Sequence, residues 1–112
     1  MQDRRMHIRV PAQIEVQYEL PGGPTQDAVT VDIGLGGTRL QSARPPPAGS
    51  PVTVVAQLPG AADRSRIPAT VRWTGSDQFG VEFGLIAARD THLIVDMMRR
   101  WLRSRPSTLP PE

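Results

Sequence analysis

The sequence predicts an all-β fold, a six-stranded antiparallel β-barrel with a flexible N-terminal arm and a C-terminal α-helix. Six short segments alternate apolar and polar residues, and the chain has 12 Pro and 10 Gly to form turns between them. The last segment changes to helical spacing. A chain of 112 residues suits one domain with a modest core. The predicted organisation is an arm over 1–11, the barrel and its helix over 12–105, and a tail over 106–112.

The first two strands are predicted over 12–20 and 27–33, where the alternation is clearest. One face of each strand is expected to point into the barrel, with the inward residues being Ile14, Val16, Tyr18, Val29, Val31 and Ile33. The same parity places Asp32 on the outer face, where a ligand can reach it.

The remaining strands are predicted after the glycine turn at 34–37 and over 52–58, 66–73 and 79–85. After the turn, Leu40 is expected to point inward and Arg39 outward. In the strand over 66–73 the inward residues are expected to be Ile67, Ala69, Val71 and Trp73, with Arg72 outward. Trp73 and Trp101 are both interpreted as core residues.

The helix is predicted over about 88–104, ended by Pro106. One apolar stripe is expected to pack on the barrel, made of Leu93, Ile94, Met97, Met98, Trp101 and Leu102. Asp90 or Thr91 is expected to cap the helix start. The stripe, including the Met97–Met98 pair, is interpreted as core packing, with a partner surface as the alternative.

Composition excludes several classes of protein. There is no Cys and there are two His, so neither a disulfide framework nor a metal site is expected. No apolar run approaches the roughly 20 residues that span a bilayer. The charged N-terminus does not resemble a signal peptide, so a cytoplasmic location is expected. No catalytic motif is visible; we therefore expect no enzyme and no cofactor.

Two short patterns carry the chemistry: Arg5 and Arg9 four residues apart, then Asp32 entering a turn with three glycines, at 34, 36 and 37. Arginine forks bind the O6/N7 edge of guanine and clamp phosphates. A carboxylate accepts from the N1–H and N2–H of guanine, which adenine does not present. The glycines fit either a hairpin that needs positive φ or a ligand that approaches bare backbone.

These patterns resemble the PilZ family of bacterial cyclic di-GMP receptors, whose signature is RxxxR followed by D/N-x-S-x-x-G on a small β-barrel. Phe79-Gly80-Val81-Glu82-Phe83 is similar to the strand before the family's last helix. The resemblance implies a cyclic di-GMP site made of Arg4, Arg5, Arg9, Asp32, Gly34, Gly36 and Gly37, with Arg72 added if its strand flanks the motif. It also implies an arginine arm that orders over the ligand and signals to an effector protein.

Gly34 stands where the family has Ser, which removes one hydroxyl worth about 1 kcal/mol. Restoring Ser is therefore expected to keep or improve affinity, unless residue 34 needs positive φ. Two alternatives stay open: a degenerate family member that binds a protein and no nucleotide, and a basic barrel that binds nucleic acid. The second is disfavoured because few aromatic residues fall on the outer face. No insertion into a membrane is expected.

Overall fold

Alternating apolar and polar residues form seven strands in the computed structural model, which describes residues 8–104. One helix follows the last strand. The elements are β1 (Arg9–Pro11), β2 (Glu15–Glu19), β3 (Thr25–Gly34), β4 (Gly37–Gln41), β5 (Pro51–Ala56), β6 (Ser65–Thr74), β7 (Gln78–Phe83) and α1 (Ala88–Ser104).

Six of the strands close into an antiparallel barrel in the order β3-β2-β5-β6-β7-β4, with β4 returning to β3. The predicted barrel and C-terminal helix are confirmed. β1 pairs with Asp32–Gly34, next to the stretch Thr25–Val29 with which β2 pairs. It therefore continues the line of β2 along the same edge of β3. Arg9–Pro11 thus belong to the barrel wall, although the sequence placed them in an arm ending at residue 11.

Between β1 and β2, the buried hydroxyl of Thr30 forms the hydrogen bonds that the interrupted strand pairing leaves open. Thr30 is 2% exposed, and its Oγ1 accepts from the backbone N–H of Ile14 at 2.9 Å. The same hydroxyl donates to the carbonyl of Ala12. The prediction that Val29 and Val31 point inward is wrong, because Ala28 and Thr30 are the buried residues of this stretch and the two valines are only partly buried.

A β-bulge in β3 then reverses the parity of the strand. Thr30 lies opposite Leu40 and Asp32 lies opposite Arg39, so Val31 is the extra residue. Beyond the bulge Ile33 is buried and Asp32 faces outward. The predicted outward position of Asp32 is therefore correct, but it depends on the bulge and not on regular alternation.

A second bulge lies in β6. Val71 pairs with Val81 while Trp73 pairs with Gly80, so Arg72 is the extra residue. Val71 is buried as predicted, but Trp73 faces outward and is 41% exposed. The interpretation of Trp73 as a core residue is wrong, since the bulge turns its side chain away from the barrel interior.

The core fills the barrel and continues under α1. Tyr18 and Phe79, both fully buried, meet edge to face with ring centroids 5.1 Å apart. The helix buries Ile94 and Met98 against the barrel. Other apolar residues of the helix are partly buried there, namely Leu93, Met97 and Trp101. The predicted packing of this stripe is confirmed except at Leu102, which is 50% exposed near the end of the helix. The helix lies against β1 and β3.

The start of α1 differs from the prediction that Asp90 or Thr91 caps it. The helix begins at Ala88, and the N–H of Thr91 already donates to the carbonyl of Ala87 at 3.0 Å. Asp90 lies inside the first turn and is 4% exposed; its carboxylate accepts a hydrogen bond from the buried hydroxyl of Ser65. Asp90 therefore joins the helix to the first residue of β6.

Candidate functional site

A row of outward-facing positions crosses four neighbouring strands of the barrel. Asp32 on β3 lies opposite Arg39 on β4, Arg39 lies opposite Gly80 on β7, and Gly80 lies opposite Trp73 on β6. Directly opposite residues in antiparallel strands have Cβ atoms about 4.5–5.5 Å apart. The two bulges place Asp32 and Trp73 at the ends of the row, because each bulge turns the residue that follows it from the inner to the outer face. We call these four residues the outer row.

The carboxylate of Asp32 lies between two guanidinium groups. Nη1 of Arg9 lies 3.4 Å from Oδ1, and Nη2 of Arg39 lies 3.3 Å from Oδ2. The backbone N–H of Arg39 also donates to Oδ1 at 3.3 Å. The side chain of Asp32 remains 16% exposed, and those of Arg9 and Arg39 are 34% and 42% exposed. The cluster therefore carries one net positive charge at the surface.

Arg39 also contacts the indole of Trp73, the other end of the outer row. Its Cζ lies 5.9 Å from the ring centroid, which is within reach of a cation–π contact. Its Nε is buried and has no hydrogen-bond partner among residues 8–104. The ring lies over Gly80, where a β-carbon would meet the indole nitrogen. Only glycine at this position leaves room for the ring.

The glycines of the motif serve close packing of strands. A β-carbon on Gly34 would collide with the carbonyl oxygen of Ile8, and one on Gly37 with the carbonyl oxygen of Val81. The carbonyl of Gly36 accepts from the N–H of Phe83 at 2.9 Å. Among the described residues, the glycines with positive φ lie elsewhere in the chain. The predicted need for positive φ at 34, 36 or 37 is therefore not confirmed.

The structure brings three predicted residues together, namely Arg9, Asp32 and Gly34, which lies opposite Arg9 in the β1–β3 pairing. Arg72 donates instead to Glu82 at 2.7 Å. Arg4 and Arg5 lie outside the described residues, so their predicted role stays a prediction.

Two residues of the outer row, Arg39 and Trp73, were not assigned to the site from the sequence. Arg39 had a usable signal, because its outward parity and its place across the hairpin from Asp32 both follow from the pattern. Trp73 had none, since its exposure depends on a bulge that regular alternation does not reveal.

The candidate site lies on the outer surface of the barrel, where the side chains of Arg9 and Arg39 are partly exposed. A cavity of about 660 Å³ lies on another part of the wall, lined by residues of β2, β3, β4 and β5 together with Ser42, Ala43, Gln57 and Arg64. In the part of the chain that the structure describes, no group of three or more acidic, His or Cys side chains could hold a metal ion. Within the same residues, no helix is long and apolar enough to cross a membrane.

The fold is shared with several solved structures. The Bacillus subtilis inhibitor of motility MotI/DgrA superposes with a TM-score of 0.73 at 24% identity, over 88% of this chain and 52% of that one. This chain thus spans about half the length of that protein. The PilZ domain of CeSA from a cellulose-synthesizing bacterium gives 0.66 at 20% identity, over 83% and 96%. Borreliella burgdorferi PlzA, in complex with cyclic di-GMP, gives 0.67 at 16% identity, over 85% and 41%.

The sequence comparison identifies the family. No curated protein matches the chain in sequence. The family model described as the PilZ domain matches residues 3–100, which is most of the chain and includes both arginine and Asp–Gly patterns. On this match, and with the barrel and helix described above, the chain belongs to the PilZ domain family.

Proposed function

We propose that this domain is a receptor for cyclic di-GMP, which binds at Asp32 and changes the surface offered to a partner protein. One observation carries the proposal. A partly exposed carboxylate lies between the guanidinium groups of Arg9 and Arg39, on an outer row that ends in the exposed ring of Trp73. This arrangement matches a ligand that has a donor edge, an aromatic face and negative charge.

Each group has a separate task in the proposed complex. Asp32 accepts the N1–H and N2–H of guanine, two parallel donors that adenine lacks. Arg9 binds a phosphate or the O6/N7 edge through its planar fork. Trp73 stacks on a base, a contact worth about 1–3 kcal/mol in nucleic-acid complexes. The family resemblance adds Arg4 and Arg5, together with backbone groups of the glycines at 34, 36 and 37.

Arg9 connects the site to the rest of the domain. It lies on β1, which pairs with β3 and packs against α1. A ligand held by Arg9 therefore acts on β1 and on the surface around it, which supports a signal to a partner protein. Membership of the PilZ family supports cyclic di-GMP as the ligand, as does the complex of the PlzA neighbour with this nucleotide.

A second candidate function is a protein-binding adaptor that binds no nucleotide. Two observations favour it. Gly34 offers no hydroxyl to a ligand, and the carboxylate of Asp32 is already paired on both oxygens.

Calorimetry decides between the two functions. The parent protein is titrated with cyclic di-GMP and, as a specificity control, with cyclic di-AMP. Asp32→Ala and Arg9→Ala are each expected to weaken cyclic di-GMP binding at least about tenfold, the loss of one or two charge-assisted contacts. Asp27→Ala removes a carboxylate from the outer face of the same strand and is expected to bind like the parent. Equal binding by all three variants would show that the site is elsewhere; no binding by the folded parent would favour the adaptor.

A further inference from the structure

The guanidinium of Arg39 has the contacts that a guanine base would need. Its Nη2 forms an ion pair with Oδ2 of Asp32 at 3.3 Å, and its Cζ lies 5.9 Å from the centroid of the Trp73 ring. A guanidinium is planar, donates within its plane and stacks through its face. Arg39 thus joins the carboxylate at one end of the outer row to the aromatic ring at the other.

Guanine contains the same chemical unit. Its N1, C2 and exocyclic N2 form a guanidine fragment that is planar, donates two parallel N–H groups and stacks through its face. A base that gives N1–H and N2–H to Asp32 and stacks on Trp73 would use the same carboxylate and the same ring that Arg39 contacts now. The guanine base and the guanidinium of Arg39 cannot both bind the carboxylate of Asp32 and the ring of Trp73 at the same time.

The contacts of Arg39 are weak enough to be exchanged. Strong charge-assisted hydrogen bonds are about 2.7–2.9 Å long, and the 3.3 Å contact to Asp32 is longer. The Nε–H is buried without a partner among residues 8–104, which is unfavourable. The side chain is 42% exposed, so the guanidinium can leave toward solvent without disturbing the core.

We infer that the guanine subsite of this domain is the place that the Arg39 guanidinium fills, between Asp32 and Trp73, and that Arg39 is an internal competitor of the ligand. The inference rests on the proposed function, because it names the base position within that site. It assigns to Arg39 a sign opposite to that of Arg9: removing Arg9 weakens binding, whereas removing Arg39 strengthens it.

The test compares two variants that each remove one positive charge from the outer face. Arg39→Gln removes the ion pair with Asp32 and the cation–π contact with Trp73. Arg72 is the extra residue of the β6 bulge, and its guanidinium pairs with Glu82. Arg72→Gln removes this guanidinium and leaves the contacts of Asp32 unchanged. Both variants lose the same long-range attraction for an anionic ligand. The ratio of their dissociation constants for cyclic di-GMP therefore isolates the effect of competition by Arg39. Calorimetry with cyclic di-GMP is run at one salt concentration, and a thermal melt confirms that each variant is folded.

Arg39→Gln is expected to bind cyclic di-GMP about five- to tenfold more tightly than Arg72→Gln, from the usual worth of an exposed ion pair and a cation–π contact. Binding by Arg39→Gln with none by the parent would also support the inference. If the parent binds cyclic di-GMP and Arg39→Gln binds it no more tightly than Arg72→Gln does, Arg39 is no competitor, although the receptor function stands. If neither the folded parent nor folded Arg39→Gln binds, the inference and the proposed function both fail.

Discussion

Replacing Gly34 by Ser tests whether the close approach of β1 to β3 controls the site. A β-carbon at this position would collide with the backbone carbonyl oxygen of Ile8 and would lie 3.2 Å from Cγ of Arg9. A backbone atom cannot rotate away as a flexible side chain does. We therefore expect Ser to push Ile8 and Arg9 off β3, although a hydroxyl alone would have been expected to aid the ligand.

The expected magnitude follows from the contacts that would be lost. Displacing the start of β1 breaks the pairing of Arg9 with Gly34 and the ion pair of Arg9 with Asp32. Each contact is worth about 1 kcal/mol, so the free energy of unfolding is expected to fall by about 2 kcal/mol. For a domain of this size that corresponds to roughly 8 °C in Tm. Val10, which is 1% exposed, keeps the rest of β1 in place.

A thermal melt followed by circular dichroism measures the loss, and calorimetry with cyclic di-GMP measures the accompanying loss of affinity. Gly23→Ser is the matched control, since a β-carbon there meets nothing closer than 3.5 Å and its φ is not positive. It is expected to melt within about 1 °C of the parent. A Gly34→Ser variant that melts with the control and binds as tightly as the parent would refute the reasoning.

Two further outcomes follow from buried or crowded groups. Gly80→Ala is expected to push the Trp73 ring off β7 and away from Arg39, which shifts the tryptophan emission and weakens cyclic di-GMP binding; unchanged emission would contradict the close contact. Asp90→Ala is expected to lower the free energy of unfolding by about 1–3 kcal/mol in urea, because it leaves the buried hydroxyl of Ser65 without its acceptor. Adding Ser65→Ala should recover part of that loss, and strict additivity of the two changes would show that the hydrogen bond is unimportant.

Much of the barrel could be predicted from its alternation. The six barrel strands, the helix over 88–104 and the buried positions of Tyr18, Leu40 and Ile67 follow from apolar periodicity, which reports burial directly. The pairing of Arg9 with Asp32 could be anticipated from the motif. For the strands, the helix and these buried positions, a residue's place depends on its own element, so a local pattern is sufficient. Arg9 and Asp32 lie on different strands, and the family motif links them instead.

The errors of parity in β3 and β6 have one physical origin: alignment with a neighbouring strand decides which residues face inward. Thr30 is buried in place of two valines because its hydroxyl satisfies Ile14 and Ala12, where the ladder is interrupted. Trp73 is exposed because β6 has one more residue than β7 between two paired positions. Neither fact can be read from a single strand, since both depend on how two strands are aligned.

The packing of α1 against β1 and β3 has a thermodynamic consequence. These are the strands that carry Arg9 and Asp32, so the helix contacts both strands of the proposed ligand site. Whatever free energy couples the ligand to the position of the helix must act equally in both directions. A protein that binds α1 and favours one of its positions would then change the affinity for the nucleotide by the same factor by which the nucleotide changes the affinity for that protein. Sensitivity to the second messenger would therefore be a property of the complex, set in part by the partner's concentration.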